Sequence, residues 1–364
     1  MKVIVVGGGI VGLSSAWALM RAGHQPVVLE QGTVPNPLGS SFDEHRMTRL
    51  FYPEPSGYGA MVPEAMEAYE TLWADLGERH YRETGILGMS REPGDWIDAA
   101  MPQIERDGYR FERMTAMRLR RSWPFLDVAG VDYGVFMQQG GVLFAERIVR
   151  ALAAKLGERV RPSTPVAEID GSKAQVRLDD GSTIAGDALI VAAGPWIGRL
   201  VPGLASRTKS YRQVAVYLDA PEKFRMAWTD APAIVDFGGA GDIYAFPSVD
   251  LTRIKIASGT YRRPGEPDSN RAVDPAEPVT ILQRYRGRLL DLDAYRVIGA
   301  RTCCYTMTED HRFIAERIGE NAVAISPCSG HGFKFGAILG LKLAAAVTGA
   351  IDYETLARWV GGRG

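Results

Sequence analysis

The stretch MKVIVVGGGIVGLSSAWALMRAGHQPVVLE, residues 1–30, decides the fold of this chain. Its first part, Lys2 to Val6, is a short run of mostly β-branched apolar residues, which is typical of a strand buried in a parallel sheet. The run leads into GGGIVG, where Gly7, Gly9 and Gly12 have the spacing G-x-G-x-x-G. In this motif the first glycine permits a tight turn and the second lets a pyrophosphate approach the backbone. The third allows the helix to pack closely on the strand.

The residues after the glycines complete a dinucleotide-binding unit. Apolar residues follow at helical spacing, and the N-terminus of that helix offers unpaired N–H groups and a partial positive charge to phosphates. Residues 24–30, HQPVVLE, then predict a second strand that ends in Glu30. Glu30 lies 18 positions after Gly12, close to the usual offset for a carboxylate that accepts hydrogen bonds from ribose hydroxyls. The pattern therefore predicts a bound dinucleotide but does not separate FAD from NAD.

Composition limits the classes of protein to which the chain belongs. Its 364 residues are 46% apolar, which is enough for a large core in one or two domains. The net charge of −1 argues against a nucleic-acid or membrane-surface partner, which would favour a basic face. Three cysteines without paired spacing, and an opening without a signal-peptide pattern, predict a cytoplasmic protein. The late apolar stretch 336–350 is short and carries Lys342, so we expect a buried helix there.

Beyond residue 60 the chain departs from a simple nicotinamide-binding domain. Residues 63–77 predict a helix with Pro63 in its first turn, and residues 83–90 predict a strand. Residues 160–196 predict a β-meander. Its last strand, 188–193, is expected to rejoin the first sheet and to bring Gly194 near the cofactor.

Alternating apolar residues farther along predict a second, mostly antiparallel sheet from the segments 211–219, 232–238, 242–248 and 253–259. From residue 322 the chain again predicts a strand, a glycine-rich turn and a long apolar helix. We therefore predict an α/β protein with a Rossmann-like cofactor domain and an α+β second domain built on an antiparallel sheet. The cofactor domain is expected to be discontinuous, over residues 1–85, 146–208 and 296–364. The substrate domain is expected over residues 86–145 and 209–295.

Two of the three cysteines are adjacent, in ARTCCYTMTED (residues 300–310). Core filler, a strained vicinal disulfide, half of a metal site and a reactive thiol are the alternatives. The metal reading finds no second C-x-x-C or H-x-x-x-H arm. In an extended segment Cys303 and Cys304 point to opposite faces, so they cannot both reach one ligand.

Several motifs in order give the chain a resemblance to a known family. They are GGGIVG (7–12), GSSFDEHRMTRLFY (39–52), GGVLFAERIVRAL (140–152), AAGPW (192–196), SYRQV (210–214), YAFPSVDLTRIK (244–255), TCCYT (302–306) and SGHGFKF (329–335). With these the chain resembles the flavin-dependent amine oxidases of the D-amino-acid oxidase superfamily, and most of all the group of monomeric sarcosine oxidase and N-methyltryptophan oxidase. The resemblance covers nearly the whole chain. It implies FAD, bonded through its 8α carbon to a cysteine sulfur that corresponds to Cys303 in the T-C-x-Y-T motif. Cys304 is then core filler, and a vicinal disulfide is the least favoured alternative.

The resemblance also implies the positions of the cofactor and the substrate. Arg46 lies by the flavin ring, Arg49 and Lys334 bind the substrate carboxylate, and Lys255 lies over the other face of the flavin, where O2 is activated. Tyr244 and Tyr305 are pocket tyrosines. The residues expected to contact FAD are Gly7, Gly9, Ile10, Val11, Gly12, Glu30, Gln31, Ser40, Arg46, Val166, Gly194, Trp196, Cys303, Gly330, Gly332, Phe333 and Lys334.

Residue type alone favours plainer interpretations of several of these positions. Arg46 and Arg49 are three apart and could be solvated charges on a short helix. Lys255 lies between two isoleucines, where alternation would turn it to solvent, and an inward lysine is costly unless a site uses it. His331 could be an ordinary loop histidine; we expect its ring near the flavin. Cys328 is expected to be a packed small residue.

One position departs from the family pattern. The sarcosine-oxidising members carry a pocket histidine four positions after the lysine that matches Lys255, whereas this chain has Gly259. The substrate pocket is therefore expected to be wider or differently polarised, which casts doubt on sarcosine itself.

The function implied by the resemblance is an FAD-dependent oxidase of secondary amino acids, either N-methyl or cyclic imino acids. Hydride transfer to flavin N5 would give an imine, and O2 would reoxidise the flavin to give H2O2. The alternatives are an imino-acid desaturase of a secondary-metabolite pathway, a dehydrogenase that passes electrons to a carrier, and a non-enzymatic flavin-binding subunit. The expected partners are a small amino-acid substrate and O2, without nucleic acid, membrane or metal. The expected state is a monomer or a weak homo-oligomer.

Overall fold

The computed structural model describes residues 1–237, 242–326 and 328–363. The strands are β1 Lys2–Val6, β2 Gln25–Leu29, β3 Arg46–Thr48, β4 Tyr81–Arg82, β5 Ile86–Ser90, β6 Glu112–Met114, β7 Tyr133–Met137, β8 Gly141–Leu143, β9 Val160–Arg161, β10 Val166–Asp170, β11 Gln175–Leu178, β12 Thr183–Ala185, β13 Ala188–Val191, β14 Lys209–Asp219, β15 Ala233–Asp236, β16 Ile243–Phe246, β17 Ile254–Ser258, β18 Arg263–Pro264, β19 Arg296–Met307, β20 Ile314–Gly319 and β21 Ala322–Ser326. The helices are α1 Ile10–Arg21, α2 Tyr58–Leu76, α3 Trp96–Arg106, α4 Ala116–Ser122, α5 Ala145–Leu156, α6 Ile197–Leu200, α7 Pro202–Ala205, α8 Glu222–Thr229, α9 Ala276–Gln283, α10 Gly336–Val347 and α11 Tyr353–Val360.

The first sheet has the order β20-β21-β13-β1-β2-β9. Its central strands run parallel, and β13 pairs with β1 in the register Val6↔Val191, so the strand after the meander does rejoin the first sheet. The meander itself forms a separate sheet, β10-β11-β12. Helices α1 and α10 pack against each other beside the first sheet, where Val3 and Val5 are fully buried. Burial on both faces explains why β1 is an unbroken apolar run.

The large sheet has the order β18-β14-β17-β16-β15-β5-β7-β6, with β19 paired to β14. The alternating segments of the sequence form its strands β14 to β17, and their pairings with one another are antiparallel. The last residue of the second segment, Gly238, lies outside the described residues. Strand β5 forms the one parallel pairing among the described strands of this sheet, with β15. The predicted mixed α/β class is confirmed.

Strand β19 joins the two parts of the fold. It pairs with β14 along its length, from Met307 opposite Lys209 to Arg296 opposite Asp219, and so lies in the large sheet. The chain then returns to the first sheet through β20 and β21. The division into a discontinuous cofactor domain and a substrate domain remains a prediction.

One element begins earlier than the sequence predicts. Pro63 was expected in the first turn of its helix, but α2 begins at Tyr58 and holds Pro63 inside it. The turn before the proline is helical because it buries Tyr58, Met61 and Val62 in the core. This apolar burial compensates for the hydrogen bond that proline cannot donate.

Within the described ranges, no helix is both long enough and apolar enough to cross a membrane.

Candidate active site

A cavity of about 950 Å³ lies where the carboxyl ends of β1, β2 and β13 face the large sheet. Residues Val6, Leu29 and Ala192, at or just after those strand ends, line it. Each catalytic residue implied by the resemblance also lines it: Arg46, Arg49, Tyr244, Lys255, Tyr305 and Lys334. The residues expected to contact the cofactor do so as well, except Gly12. The tertiary structure therefore brings into one cavity residues that are up to 327 positions apart in the chain, from Gly7 to Lys334.

The glycine loop forms one end of this cavity. Gly7 has a φ of +110°, and a Cβ there would overlap the carbonyl oxygen of Ala192, so glycine is required. Gly12 does not line the cavity because it lies beneath the loop, where a Cβ would overlap the Gly7 carbonyl. This is the close helix–strand contact expected of the third glycine. Gly9 precedes the first residue of α1, so the amino end of the helix faces the cavity.

Glu30 is held in place by the loop next to it. Its carboxylate is buried and accepts hydrogen bonds from the backbone N–H of Gly8 at 2.7 Å and of Gly32 at 3.0 Å. The side chain of Asn36 donates a third bond at 2.9 Å. Sequence reasoning missed Asn36, which has no motif around it. The loop, the helix end and this carboxylate together fit a dinucleotide, with phosphates at the helix and a ribose at Glu30.

The adjacent cysteines of β19 face opposite sides of the strand. Cys303 is half-buried and lines the cavity, whereas Cys304 is fully buried, with its Sγ 3.8 Å from the Glu266 carbonyl oxygen. Burial raises the pKa of Cys304, as expected of an inert core thiol. Arg46 lies close enough to Cys303 for the two side chains to interact electrostatically. All three cysteines are free thiols.

Arg49, which is half-buried, and Lys334, which is buried, form a pair of cations on another wall. The Arg49 guanidinium lies over the rings of Tyr52 and Trp96, at 4.3 and 4.6 Å from their centroids. Lys334 is 3% exposed and donates hydrogen bonds to the Tyr52 hydroxyl and the His331 carbonyl, each at 2.9 Å. Neither cation has a carboxylate within ion-pairing distance among the described residues.

The electrostatic state of these two cations suits an anionic ligand. Burial, and then repulsion by Arg49, lowers the pKa of Lys334 well below its usual range. Burial likewise lowers the pKa of Arg49. A bound anion would reverse both effects, because it would supply the missing counter-charge in a poorly hydrated place.

Lys255 differs from Arg49 and Lys334, because its charge is already paired with a carboxylate. The side chain points inward from β17 and is 3% exposed, so the alternation of its neighbours is misleading. Its Nζ donates hydrogen bonds to Asp43 Oδ2 at 2.9 Å and to the His45 carbonyl at 2.5 Å. The ammonium also lies 4.0 Å from the centroid of the Phe246 ring.

Asp43 is a functional candidate that sequence reasoning missed. Its carboxylate also accepts hydrogen bonds from Arg46 at 2.5 Å and from the Tyr217 hydroxyl at 2.6 Å. Burial would raise the pKa of Asp43, but the attraction of Lys255 and then Arg46 outweighs it and holds that pKa well below its usual range. The sequence did contain a signal for Asp43 and for Tyr52, because both lie in the motif GSSFDEHRMTRLFY (39–52).

The two pocket tyrosines complete the cavity walls. Tyr244 on β16 and Tyr305 on β19 both line it, and burial raises the pKa of each. They are therefore neutral phenols at physiological pH. Arg46 and Arg49 lie at the start of β3 and just after it, so the interpretation as solvated charges on a helix is wrong.

Asp242 fills the space that Gly259 leaves open. The two residues face each other across β16 and β17, and the Gly259 N–H donates to the Asp242 carbonyl at 2.8 Å. A Cβ on Gly259 would overlap the Asp242 carboxylate, and both residues line the cavity. The Asp242 carboxylate therefore occupies the space that a side chain at position 259 would enter. Sequence reasoning missed it because the pairing that sets the two residues opposite each other is tertiary.

The glycine-rich turn before α10 contributes His331 and Cys328. The His331 ring stacks on Phe313 at 4.6 Å, and its Nδ1 lies 3.1 Å from the Tyr52 hydroxyl. Burial lowers the pKa of His331 well below its usual range, so the ring is neutral. Cys328 lines the cavity and is half-buried, and burial raises its pKa to about 11.

Comparison with known proteins agrees with this geometry. Residues 2–346 match the DAO family of FAD-dependent oxidoreductases. The chain belongs to this family. It is therefore an FAD-dependent oxidoreductase, and the dinucleotide for which the loop and Glu30 are built is FAD.

Two similar proteins and one similar structure illustrate the relationship. The chain is 27% identical to monomeric sarcosine oxidase of Arthrobacter sp. (strain TE1826), over 97% of this chain and 94% of that protein. It is 25% identical to N-methyl-L-tryptophan oxidase of Yersinia pestis (strain Pestoides F), over 93% of this chain and 92% of that protein. The structure of L-proline dehydrogenase from P. horikoshii superposes with a TM-score of 0.84, covering 100% of this chain and 96% of that one, at 18% identity. This last likeness shows the shared fold alone.

Proposed function

We propose that this DAO-family enzyme oxidises secondary amino acids, either N-methyl or cyclic imino acids, to imines and uses O2 as the electron acceptor. The observation that carries the proposal is the pair of cations, half-buried Arg49 and buried Lys334, which have no carboxylate within ion-pairing distance among the described residues and face the cofactor cavity. A storage or assembly protein would have no use for such a pair, because burying a charge without a counter-ion costs stability.

The residues of this chain fit FAD along the whole cavity. The Gly7–Gly12 loop and the end of α1 would hold the pyrophosphate, and Glu30 would hold a ribose. Arg46 and Cys303 line the same cavity as the two cations, and we propose that the flavin ring lies against them. Bound FAD supplies the hydride acceptor, N5 of the flavin. We propose that the cofactor is attached through its 8α carbon to the sulfur of Cys303.

Substrate binding is then the work of Arg49 and Lys334. A guanidinium fork and an ammonium donate hydrogen bonds to the two oxygens of the substrate carboxylate. Holding the carboxylate fixes the position of the C–H bond next to the substrate nitrogen, and this positioning removes translational freedom before the reaction. The substrate gives up a hydride equivalent from that carbon and becomes an imine, which water hydrolyses.

Lys255 is proposed to act on O2. Its buried ammonium stabilises negative charge as O2 takes up the first electron. Replacement of Lys255 by Met is expected to slow reoxidation by O2 at least tenfold, with little effect on anaerobic reduction, since Lys255 does not belong to the carboxylate clamp. Stopped-flow measurement of the two half-reactions checks this, and equal losses in both would contradict it.

A specific observation supports a second candidate function, a dehydrogenase that passes electrons to a carrier. Lys255 is already paired with Asp43, and so less of its charge is available to O2. The rate of reoxidation by air, compared with the rate in the presence of an artificial carrier, separates the two candidates.

The test of the substrate class is an anaerobic screen that follows loss of the yellow flavin colour. The panel contains N-methyl amino acids, proline, pipecolate and their analogues. Bleaching by a secondary amino acid, and its loss on removal of the carboxylate from that compound, supports the proposal. A flavin that no compound of the panel bleaches contradicts it. The cytoplasmic location and the monomeric or weakly associated state remain predictions, which fractionation and sedimentation test.

A further inference from the structure

The carboxylate of Asp43 connects side chains from several strands in one wall of the cavity. It is 6% exposed and accepts hydrogen bonds from Lys255 on β17, Arg46 on β3 and Tyr217 on β14. The backbone N–H of Glu44 donates a further bond at 2.7 Å. One carboxylate thus fixes side chains from three strands, and two of its partners, Arg46 and Lys255, line the cofactor cavity.

The charges in this cluster do not cancel. Two cations, Lys255 and Arg46, share the one carboxylate of Asp43, so these three side chains together carry one net positive charge. The charged and titratable groups that face Asp43 and Lys255 from neighbouring elements are Glu44, His45, Arg46, Tyr217, Tyr244 and Arg301. Cys303 faces Arg46 and Tyr244. Burial, with repulsion by Lys255, lowers the pKa of His45 well below its usual range, so His45 adds no further cation at neutral pH.

We infer that Asp43 is a positioning residue, whose carboxylate holds the Lys255 ammonium in place and keeps it protonated in the buried wall, and so sets how fast O2 reacts. The two fixed acceptors of Lys255, Asp43 Oδ2 and the His45 carbonyl, leave one N–H of the ammonium for the cavity. The inference rests on the proposed use of O2, which takes up two electrons from the reduced cofactor and two protons to give H2O2.

The geometry determines the direction in which removal of the Asp43 charge changes the pKa of Lys255. Burial lowers the pKa of Lys255 to about 8, and Asp43 is the main group that opposes this effect. In Asp43→Asn, Lys255 would face Arg46 without the carboxylate that bonds to it and would keep only the weaker attraction of Glu44, so its proton is held less tightly. If its pKa falls by one unit, the protonated fraction at pH 8 falls about fivefold, whereas at pH 6 it hardly changes.

The experiment uses the holoenzyme and needs no substrate. The flavin is reduced by light under anaerobic conditions and mixed with O2 at pH 6 and at pH 8. In parallel, the protein is labelled with ¹³C-lysine, and the titration of the Lys255 Cε signal is followed by NMR. That signal is assigned by its loss in Lys255→Met. The chain has eight lysines, so the spectrum is sparse.

For Asp43→Asn we expect the Lys255 midpoint to move down by one unit or more. With a fall of one unit, reoxidation is expected to be about fivefold slower than in the wild type at pH 8 and nearly unchanged at pH 6, because the protonated fraction follows the midpoint. If Asp43 had a merely structural role, its loss would slow reoxidation by the same factor at both pH values. Tyr217→Phe is the matched control, because it removes a hydrogen bond to Asp43 without changing any charge, and we expect its midpoint to stay near the wild-type value.

Three results overturn the inference. They are an unmoved Lys255 midpoint in Asp43→Asn, an equal loss of rate at both pH values, and a Tyr217→Phe midpoint that moves as far as that of Asp43→Asn. Should Asp43→Asn not fold, the wild type decides, because a Lys255 that is already neutral at pH 7 contradicts the assignment. If the wild type reoxidises slowly but the Lys255 midpoint moves in Asp43→Asn, O2 is not the acceptor, whereas Asp43 still holds the proton of Lys255. If the wild type reoxidises fast but the Lys255 midpoint does not move in Asp43→Asn, O2 remains the acceptor and the role of Asp43 is contradicted.

Discussion

At the scale of single residues, the side of a strand on which a side chain lies decides its chemistry. Cys303 and Cys304 are neighbours with the same thiol, yet one lines the cofactor cavity and the other is sealed in the core. Successive side chains of an extended strand point to opposite faces, which is why the two differ. The same rule would turn Lys255 to solvent, but both faces of β17 are covered, and so a lysine is buried there.

The first prediction concerns the attachment of the flavin. Cys303→Ala is expected to abolish the covalent bond, so that acid precipitation releases the yellow colour, because only this thiol of the pair reaches the cavity. Cys304→Ala is expected to keep the flavin bound and to lose about 1 kcal/mol of stability, as a small buried truncation does. Flavin absorbance in the pellet and the supernatant measures both. Release from Cys304→Ala instead would mean that the assignment is wrong by one residue.

The second prediction concerns the pocket wall. Gly259→Ala is expected to raise the KM for the substrate about tenfold, because the added Cβ overlaps the Asp242 carboxylate and forces it into the cavity. Photoreduction of the flavin should be unchanged. The control is a double-mutant cycle, in which Gly259→Ala added to Asp242→Ala should have little further effect. Full additivity would show that the overlap is not the cause.

At the scale of elements, close packing of helices brings the cofactor loop and the substrate clamp together. Helix α1 follows the glycine loop and α10 follows Lys334, and the two pack against each other. Gly340 on α10 lies against the backbone of Ser14 on α1, where a Cβ would overlap the chain. Strands β14 to β17 of the large sheet were predictable from their period-2 alternation, whereas β6, β7, β18 and β19 were not. The start of α2 was not, because burial of Tyr58 in the core outweighs the tendency of Pro63 to occupy a first turn.

The third prediction tests this helix contact. Gly340→Ala is expected to reduce the free energy of unfolding by about 2–3 kcal/mol, since helices that touch through backbone must separate to admit a methyl group. Gly203→Ala is the control, because Gly203 in α7 has the same change of residue with ordinary contacts around its Cβ. Urea unfolding followed by circular dichroism measures both variants. Equal losses would contradict the claim that the crossing of α1 and α10 is tight.

At the scale of the whole molecule, the protein stores buried positive charge around one cavity. Lys255 and Lys334 are each 3% exposed, and burial lowers the pKa of both. This arrangement lowers the stability of the ligand-free protein. A bound anion or dianionic cofactor restores part of that stability, because the ligand binds only the folded state. The charge is therefore a property of the assembled cavity rather than of any one segment.

The fourth prediction is a pH dependence of stability. Lys255 has a folded pKa of about 8 and an unfolded pKa near 10.5, so the unfolded chain binds more protons between these values. The free energy of unfolding should therefore rise with pH in that window, by about 2 kcal/mol from pH 7.5 to pH 9.5 for this residue. Lys255→Met should lack that contribution. Urea unfolding of both proteins at the two pH values measures it, and identical pH dependences would contradict the prediction.

The sequence by itself determined the glycine loop, Glu30, the strand segments and the family, because local spacing and order along the chain carry them. Through the resemblance to the family, its motifs also implied that Arg46, Arg49, Lys255, Cys303 and Lys334 line the cofactor cavity, as they do. Only the tertiary structure decided the pairing of Asp43 with Lys255 and the place of Asp242 beside Gly259. Those contacts join residues that are far apart in the chain, and their energies depend on burial and strand register, which no local pattern contains.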